Sequence, residues 1–81
     1  MNVTVRVRKS LLPSDPRDPI KVVLAEGAAV DDLLAHVRAH DPALGGLLNL
    51  AVPTTSGRAM PRTEPLVNGQ EIMFIPMNAG G

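Results

Sequence analysis

Helical periodicity occurs in one stretch of this 81-residue chain. From Val30 to His40 the apolar residues Val30, Leu33, Leu34 and Val37 fall on one stripe, and Asp31 and Asp32 sit in the first turn, where the helix dipole favours anions. Ala29 occupies the cap position, a start weaker by about 1 kcal/mol than a serine or threonine cap. Asp41-Pro42 ends the helix, because the residue before proline is pushed out of helical geometry. A single helix covers only one face of a sheet, so strands around it imply a two-layer α+β domain.

The strands read from period-two alternation. In "NVTVRVR", Val3, Val5 and Val7 alternate with Asn2, Thr4, Arg6 and Arg8. Residues 9–19 hold Pro13, Pro16 and Pro19 and read as a stiffened loop, after which "IKVVLA" puts Ile20, Val22 and Leu24 on one face of a second strand. "ALGG" predicts a turn and "LLNLAVP" a short apolar strand closed by Pro53. Residues 54–65 are polar, with one short edge strand near Gly57 to Met60. Asn68-Gly69 is a turn signal leading into "QEIMFIPM", a strand apolar on both faces. This order, with the most apolar strand last, is that of a β-grasp: a mixed four- to five-stranded sheet with one main helix, its first and last strands parallel at the centre. Residues 1–81 are expected to form one such domain, with 77–81 as a flexible tail.

Composition removes several function classes. A chain this short buries one modest core and has little room for a deep catalytic cavity. There is no cysteine, hence no disulfide, thiolate metal site or cysteine nucleophile. Net charge is zero but segregated: residues 1–21 carry five basic and two acidic groups (+3), residues 22–49 one basic and four acidic (−3). No basic face for nucleic acid stands out, and Phe74, the only aromatic residue, offers no stacking platform. No stretch approaches the roughly 20 apolar residues that span a bilayer, and the N-terminus lacks a signal peptide's apolar run, so the cytoplasm is the expected location.

The ending "IPMNAGG" carries the most chemistry. Pro76 is expected to stop pairing so that the end projects, and Gly80 and Gly81 allow close approach of a partner's backbone and leave the Gly81 carboxylate sterically bare. A carboxylate is a poor electrophile. Chemistry on it requires activation, most simply as a mixed anhydride with AMP formed in a partner's active site.

The stretch Leu66 to Gly81, "LVNGQEIMFIPMNAGG", resembles the ending of the ubiquitin-like sulfur carriers, among them the molybdopterin synthase small subunit and the thiamine-pathway carrier. "AEGAAVDDLLAHV" is more loosely similar to their entry from strand to helix. The resemblance implies that Gly81 is adenylated by an E1-like enzyme and converted to a thiocarboxylate. The sulfur then passes to an enzyme making a cofactor (molybdopterin or thiamine), cysteine or a natural product. It implies a carrier and not an enzyme, a monomer when free, with ATP used by the activating partner and no cofactor held by the chain. Asn78, Ala79 and Gly80 would thread the partner's active site. The alternative is a protein modifier joined through Gly81 to lysines of its targets, and a plain interaction domain is a third reading.

Other residues are weaker candidates. Asp32, His36 and His40 lie one turn apart and could present one face to a metal, but a solvated flank is the commoner fate of such a set. Leu44 to Gly46 lacks the Lys-Ser/Thr ending of a phosphate loop. On the last strand Ile72 and Phe74 share one parity and are placed beneath the helix. Met73, Ile75 and Met77 share the other, and they are either a partner-docking surface or covered by residues 54–65.

Overall fold

The computed structural model describes residues 1–8, 11 and 19–77. Its elements are β1 (Asn2–Val7), β2 (Ile20–Val23), α1 (Val30–His40), α2 (Pro42–Asn49), β3 (Ala51–Thr55), β4 (Arg58–Ala59) and β5 (Glu71–Pro76). They build one sheet in the order β2-β1-β5-β3-β4. β1 and β5 pair in parallel, with Val5 opposite Ile72 and Val7 opposite Phe74, while all other neighbours are antiparallel. A central parallel pair formed by the first and last strands, crossed by a helix, is the β-grasp arrangement expected from the element order. Among the described residues, no helix is long and apolar enough to cross a membrane.

Both helices pack on one face of the sheet. The core between the layers is made by Val3, Val5 and Val7 of β1, Val22 and Leu24, Leu33, Leu34 and Val37 of α1, Leu44 and Leu48 of α2, and Ile72 and Phe74 of β5. Phe74 and Ile72 are both fully buried, as their parity predicts.

The second helix corrects the sequence reading, which placed a turn at "ALGG" and began a strand at Leu47. Residues 42–49 are helical instead, and β3 starts at Ala51. Asp41 ends α1 and caps α2 at once: its Oδ1 accepts from the Leu44 amide at 3.1 Å, and Pro42 follows in the first turn, where its missing N–H costs nothing. Gly45 is there for packing. A Cβ at this position would lie 2.5 Å from Arg38 Cα, so only glycine lets the two helices cross this closely.

Two prolines also sit differently from expectation. Pro53 lies within β3 opposite Phe74 and does not close the strand. Its carbonyl accepts from Met60 N–H at 2.9 Å, so its backbone faces β4, a two-residue strand with little ladder to lose. Pro76 is itself paired, opposite Ala51, and β5 ends on it.

The start of α1 is better satisfied than Ala29 alone suggests. Asp32 Oδ2 accepts from Ala29 N–H at 2.8 Å, and the carbonyls of Glu64 and Arg62 accept from Val30 and Asp31 at 3.2 and 2.9 Å. These are amides the helix cannot pair internally. The returning segment after β4 therefore caps the helix.

Candidate partner-docking face and the root of the C-terminal tail

Pleating gives each strand two sides, and the helices cover only one. With Val3, Val5 and Val7 inward, Thr4, Arg6 and Arg8 face the other way, as do Lys21 and Val23 on β2, Val52 and Thr54 on β3, and Met73 and Ile75 on β5. This open face is ordered in rows across the strands. Arg6 stands beside Met73 and Met73 opposite Thr54, while Ile75 stands opposite Val52. Met73, Ile75 and Val52 are half-buried. One step further toward the tail, Leu50 and Met77 are 69% and 65% exposed. Each lies one residue beyond the Ala51–Pro76 pair, at the end of the sheet.

An apolar strip therefore runs along β5 to the point where the chain leaves the sheet. Met73 and Ile75 fall on it together, as their shared parity predicts, and Met77 follows one residue beyond β5. Residues 54–65 do not cover it. Ser56 and Gly57, with φ of 50° and 81°, make a two-residue hairpin turn that keeps β3 and β4 in the plane of the sheet. From Met60, which is buried, the chain passes to the start of α1 on the helical side, and Arg62 is tied there to Asn49. Leu50 and Val52 are additional members that the sequence did not single out; both lay in a stretch read as one continuous apolar strand, with no face assigned. The residues expected to do the chemistry, Asn78, Ala79, Gly80 and Gly81, lie outside the described residues.

Polar contacts on this face are surface pairs. Arg6 Nε meets Glu71 Oε2 at 3.1 Å, and Lys21 Nζ donates to Thr4 Oγ1 at 3.3 Å. Thr54 Oγ1 donates to the Met73 carbonyl at 2.9 Å, using a β5 group on the strip itself. Near the β4 edge, Arg58 donates both guanidinium nitrogens to Glu64 at 2.8 and 2.7 Å. Those hydrogen bonds hold the Glu64 carboxyl below the usual carboxylate range and raise the arginine in turn.

The remaining candidates are not assembled. Asp32 is engaged by Ala29 N–H. His36 and His40 stack with ring centroids 4.3 Å apart, and His40 Nδ1 lies 2.9 Å from the His36 carbonyl, which can only accept. Among the described residues, no group of three histidine or carboxylate side chains could hold a metal. A groove of about 560 Å³ beside β2 is floored by Ile20, Val22, Val37 and Leu44. Among the described residues, Lys21, His36, His40 and Asp41 supply its polar lining, with no hydroxyl or thiol side chain.

No protein-family model and no curated protein matches the chain. Solved structures do. SAMP1 from Haloferax volcanii superposes with a TM-score of 0.77 at 21% identity, covering 100% of both chains. A second structure of the H. volcanii small archaeal modifier protein 1 gives 0.73 at 20% identity, covering 93% of this chain and 95% of that one. The Caldiarchaeum subterraneum ubiquitin gives 0.65 at 20% identity over 100% and 98%. At these identities the likeness is one of fold, and that fold is the ubiquitin-like β-grasp.

Proposed function

We propose that this chain is a sulfur carrier that works through the carboxylate of Gly81. A carboxylate oxygen attacks the α-phosphate of ATP in the active site of an E1-like enzyme, pyrophosphate leaves, and the acyl adenylate forms. A hydrosulfide equivalent then displaces AMP, breaking a C–O bond and forming a C–S bond. The resulting thiocarboxylate delivers sulfur to an enzyme making a cofactor such as molybdopterin or thiamine, cysteine or a natural product. The chain supplies no catalytic side chain to these steps. Its part is to present Gly81 on a thin segment, Asn78 to Gly80, behind a face that docks through Met73, Ile75 and Met77.

The observation that carries this reading is the position of the ending Gly80-Gly81. In the sequence three residues separate it from the central strand, β5, along whose exposed side the apolar strip runs to Pro76. Absence of cysteine is compatible, since the sulfur rides on the terminal carbonyl carbon. The second reading, a modifier joined through Gly81 to target lysines, draws support from the name of a structural neighbour, small archaeal modifier protein 1.

Mass spectrometry after incubation with the E1-like enzyme of the same organism, ATP and a sulfur source tests the proposal. The wild-type chain gains the mass difference between sulfur and oxygen. Deletion of Gly81 or the change Gly80→Val abolishes that gain, because a misplacement of about 1 Å at a reacting centre already costs about 100-fold in rate. Equal modification of wild type and the deletion refutes the proposal. Gly-Gly remnants on target lysines, without thiocarboxylate, favour the modifier.

A further inference from the structure

The zero net charge hides a local cluster of cations on the open face of the sheet. Every cation that β1, the residue following it, and β2 contribute, namely Arg6, Arg8 and Lys21, stands on the open face. Arg8 N–H donates to the Phe74 carbonyl at 3.0 Å, which continues the β1–β5 ladder and sets Arg8 beside Ile75. On the helical side charge of both signs is mixed: Asp31, Asp32 and Asp41 stand with Arg38 on α1 and with Arg62, which lies 3.9 Å from Asp31. Glu71 is the one carboxylate on the β1–β5 part of the open face, and it engages Arg6. Arg8 and Lys21 remain uncompensated there by any carboxylate among the described residues.

The strip formed by Met73, Ile75, Met77, Val52 and Leu50 is thus bordered by cations on its β1 side. We infer that the activating enzyme meets this face with an apolar patch flanked, on the side that receives β1, by a cluster of aspartate or glutamate side chains. The inference rests on the proposed activation of Gly81 and adds the chemistry of the partner surface. Two physical reasons favour it. An apolar strip alone accepts a partner in either direction along β5, whereas a one-sided cationic border fixes the direction that leads the tail into the nucleotide site. Opposite charge also speeds encounter of a small carrier that must bind, react and leave, because rim charges act mainly on association.

ATP–pyrophosphate exchange by the E1-like enzyme of the same organism is the test, with this chain as the varied substrate. Arg8→Glu is expected to lower kcat/KM about tenfold through KM, with kcat and the melting temperature unchanged. Raising the ionic strength from about 0.05 to about 0.3 M lowers the wild-type kcat/KM severalfold and leaves the Arg8→Glu value nearly flat. Arg38→Glu, an equal charge change on the exposed side of α1, matches wild type. Exchange with wild type but an Arg8→Glu value within about twofold and no salt dependence overturns this inference alone, as does an equal loss in Arg38→Glu. Absence of exchange with wild type overturns activation through Gly81, and this inference with it.

Discussion

Replacing Gly45 by alanine sets a local preference against a tertiary one. Within a helix, alanine is favoured over glycine by about 1 kcal/mol, so propensity alone predicts stabilisation. The new methyl would lie 2.5 Å from Arg38 Cα, 2.8 Å from its Cβ and 2.9 Å from its amide nitrogen. Carbon atoms in contact sit about 3.5 to 4.0 Å apart. Backbone atoms cannot rotate aside, so α2 must withdraw from α1 by about 1 Å, and a gap of that size forfeits a quarter to a half of each affected dispersion well. Leu44 and Leu48 ride on the same helix and lose contact with the core as it moves. Overpacking of this kind costs about 1 to 3 kcal/mol. Offset by the propensity gain, the net expectation is a loss of up to about 2 kcal/mol. Gly46 is the internal control: nothing lies within 4 Å of its added Cβ, so Gly46→Ala gains the propensity term alone, about 0.5 to 1 kcal/mol. The chain has no tryptophan or tyrosine, so urea unfolding is followed by far-UV circular dichroism. The two variants should shift the midpoint in opposite directions at constant slope. A Gly45→Ala protein stabilised as much as Gly46→Ala refutes the packing argument.

Truncating Phe74 to alanine removes the fully buried aromatic beneath the helices and should cost about 3 to 5 kcal/mol; a loss under about 1 kcal/mol in the same titration would mean the core does not depend on it. Asp32→Ala removes the acceptor for Ala29 N–H and should cost about 0.5 to 1 kcal/mol, with lost amide-exchange protection at Ala29 as the local signature. Arg58 lowers the folded-state pKa of Glu64, so the stability it contributes is complete above the ordinary glutamate value of about 4.3 and is lost as pH falls through the lower folded value. Glu64→Gln should flatten that part of the acid dependence of the unfolding midpoint, and superimposable acid limbs for the two proteins would contradict it.

The elements legible in the sequence are those whose cause is local. Val3, Val5 and Val7 alternate because one side of β1 is buried, and Ile72 and Phe74 declare the inner parity of β5 in the same way. The stripe on α1 is as plain. The second helix escaped because its reason is tertiary: Gly45 lowers helix propensity and reads as a turn, yet the approach of Arg38 demands it. The Asp41-Pro42 pair could have disclosed it, since a cap residue followed by proline starts a helix as readily as it ends one. The cap on α1 was hidden likewise, because two of its acceptors are carbonyls more than thirty residues away. At the candidate site, parity placed Met73, Ile75 and Met77, while Leu50 and Val52 needed the β3–β5 register.

The parallel pairing of β1 with β5 also governs when the molecule can fold during its synthesis. Until β5 has been made, the sheet is two disconnected pairs, β1 with β2 and β3 with β4, since only β5 bridges them. Two-stranded pieces are marginal in water, and Phe74 and Ile72, the centre of the core, are still missing. A chain released by the ribosome before Glu71 therefore stays open to proteases, whereas one that has docked β5 already has Met77 at the sheet's end. Order and the completion of β5 arise in the same event, so the cell's stock of folded copies is also its stock of copies whose final strand was completed.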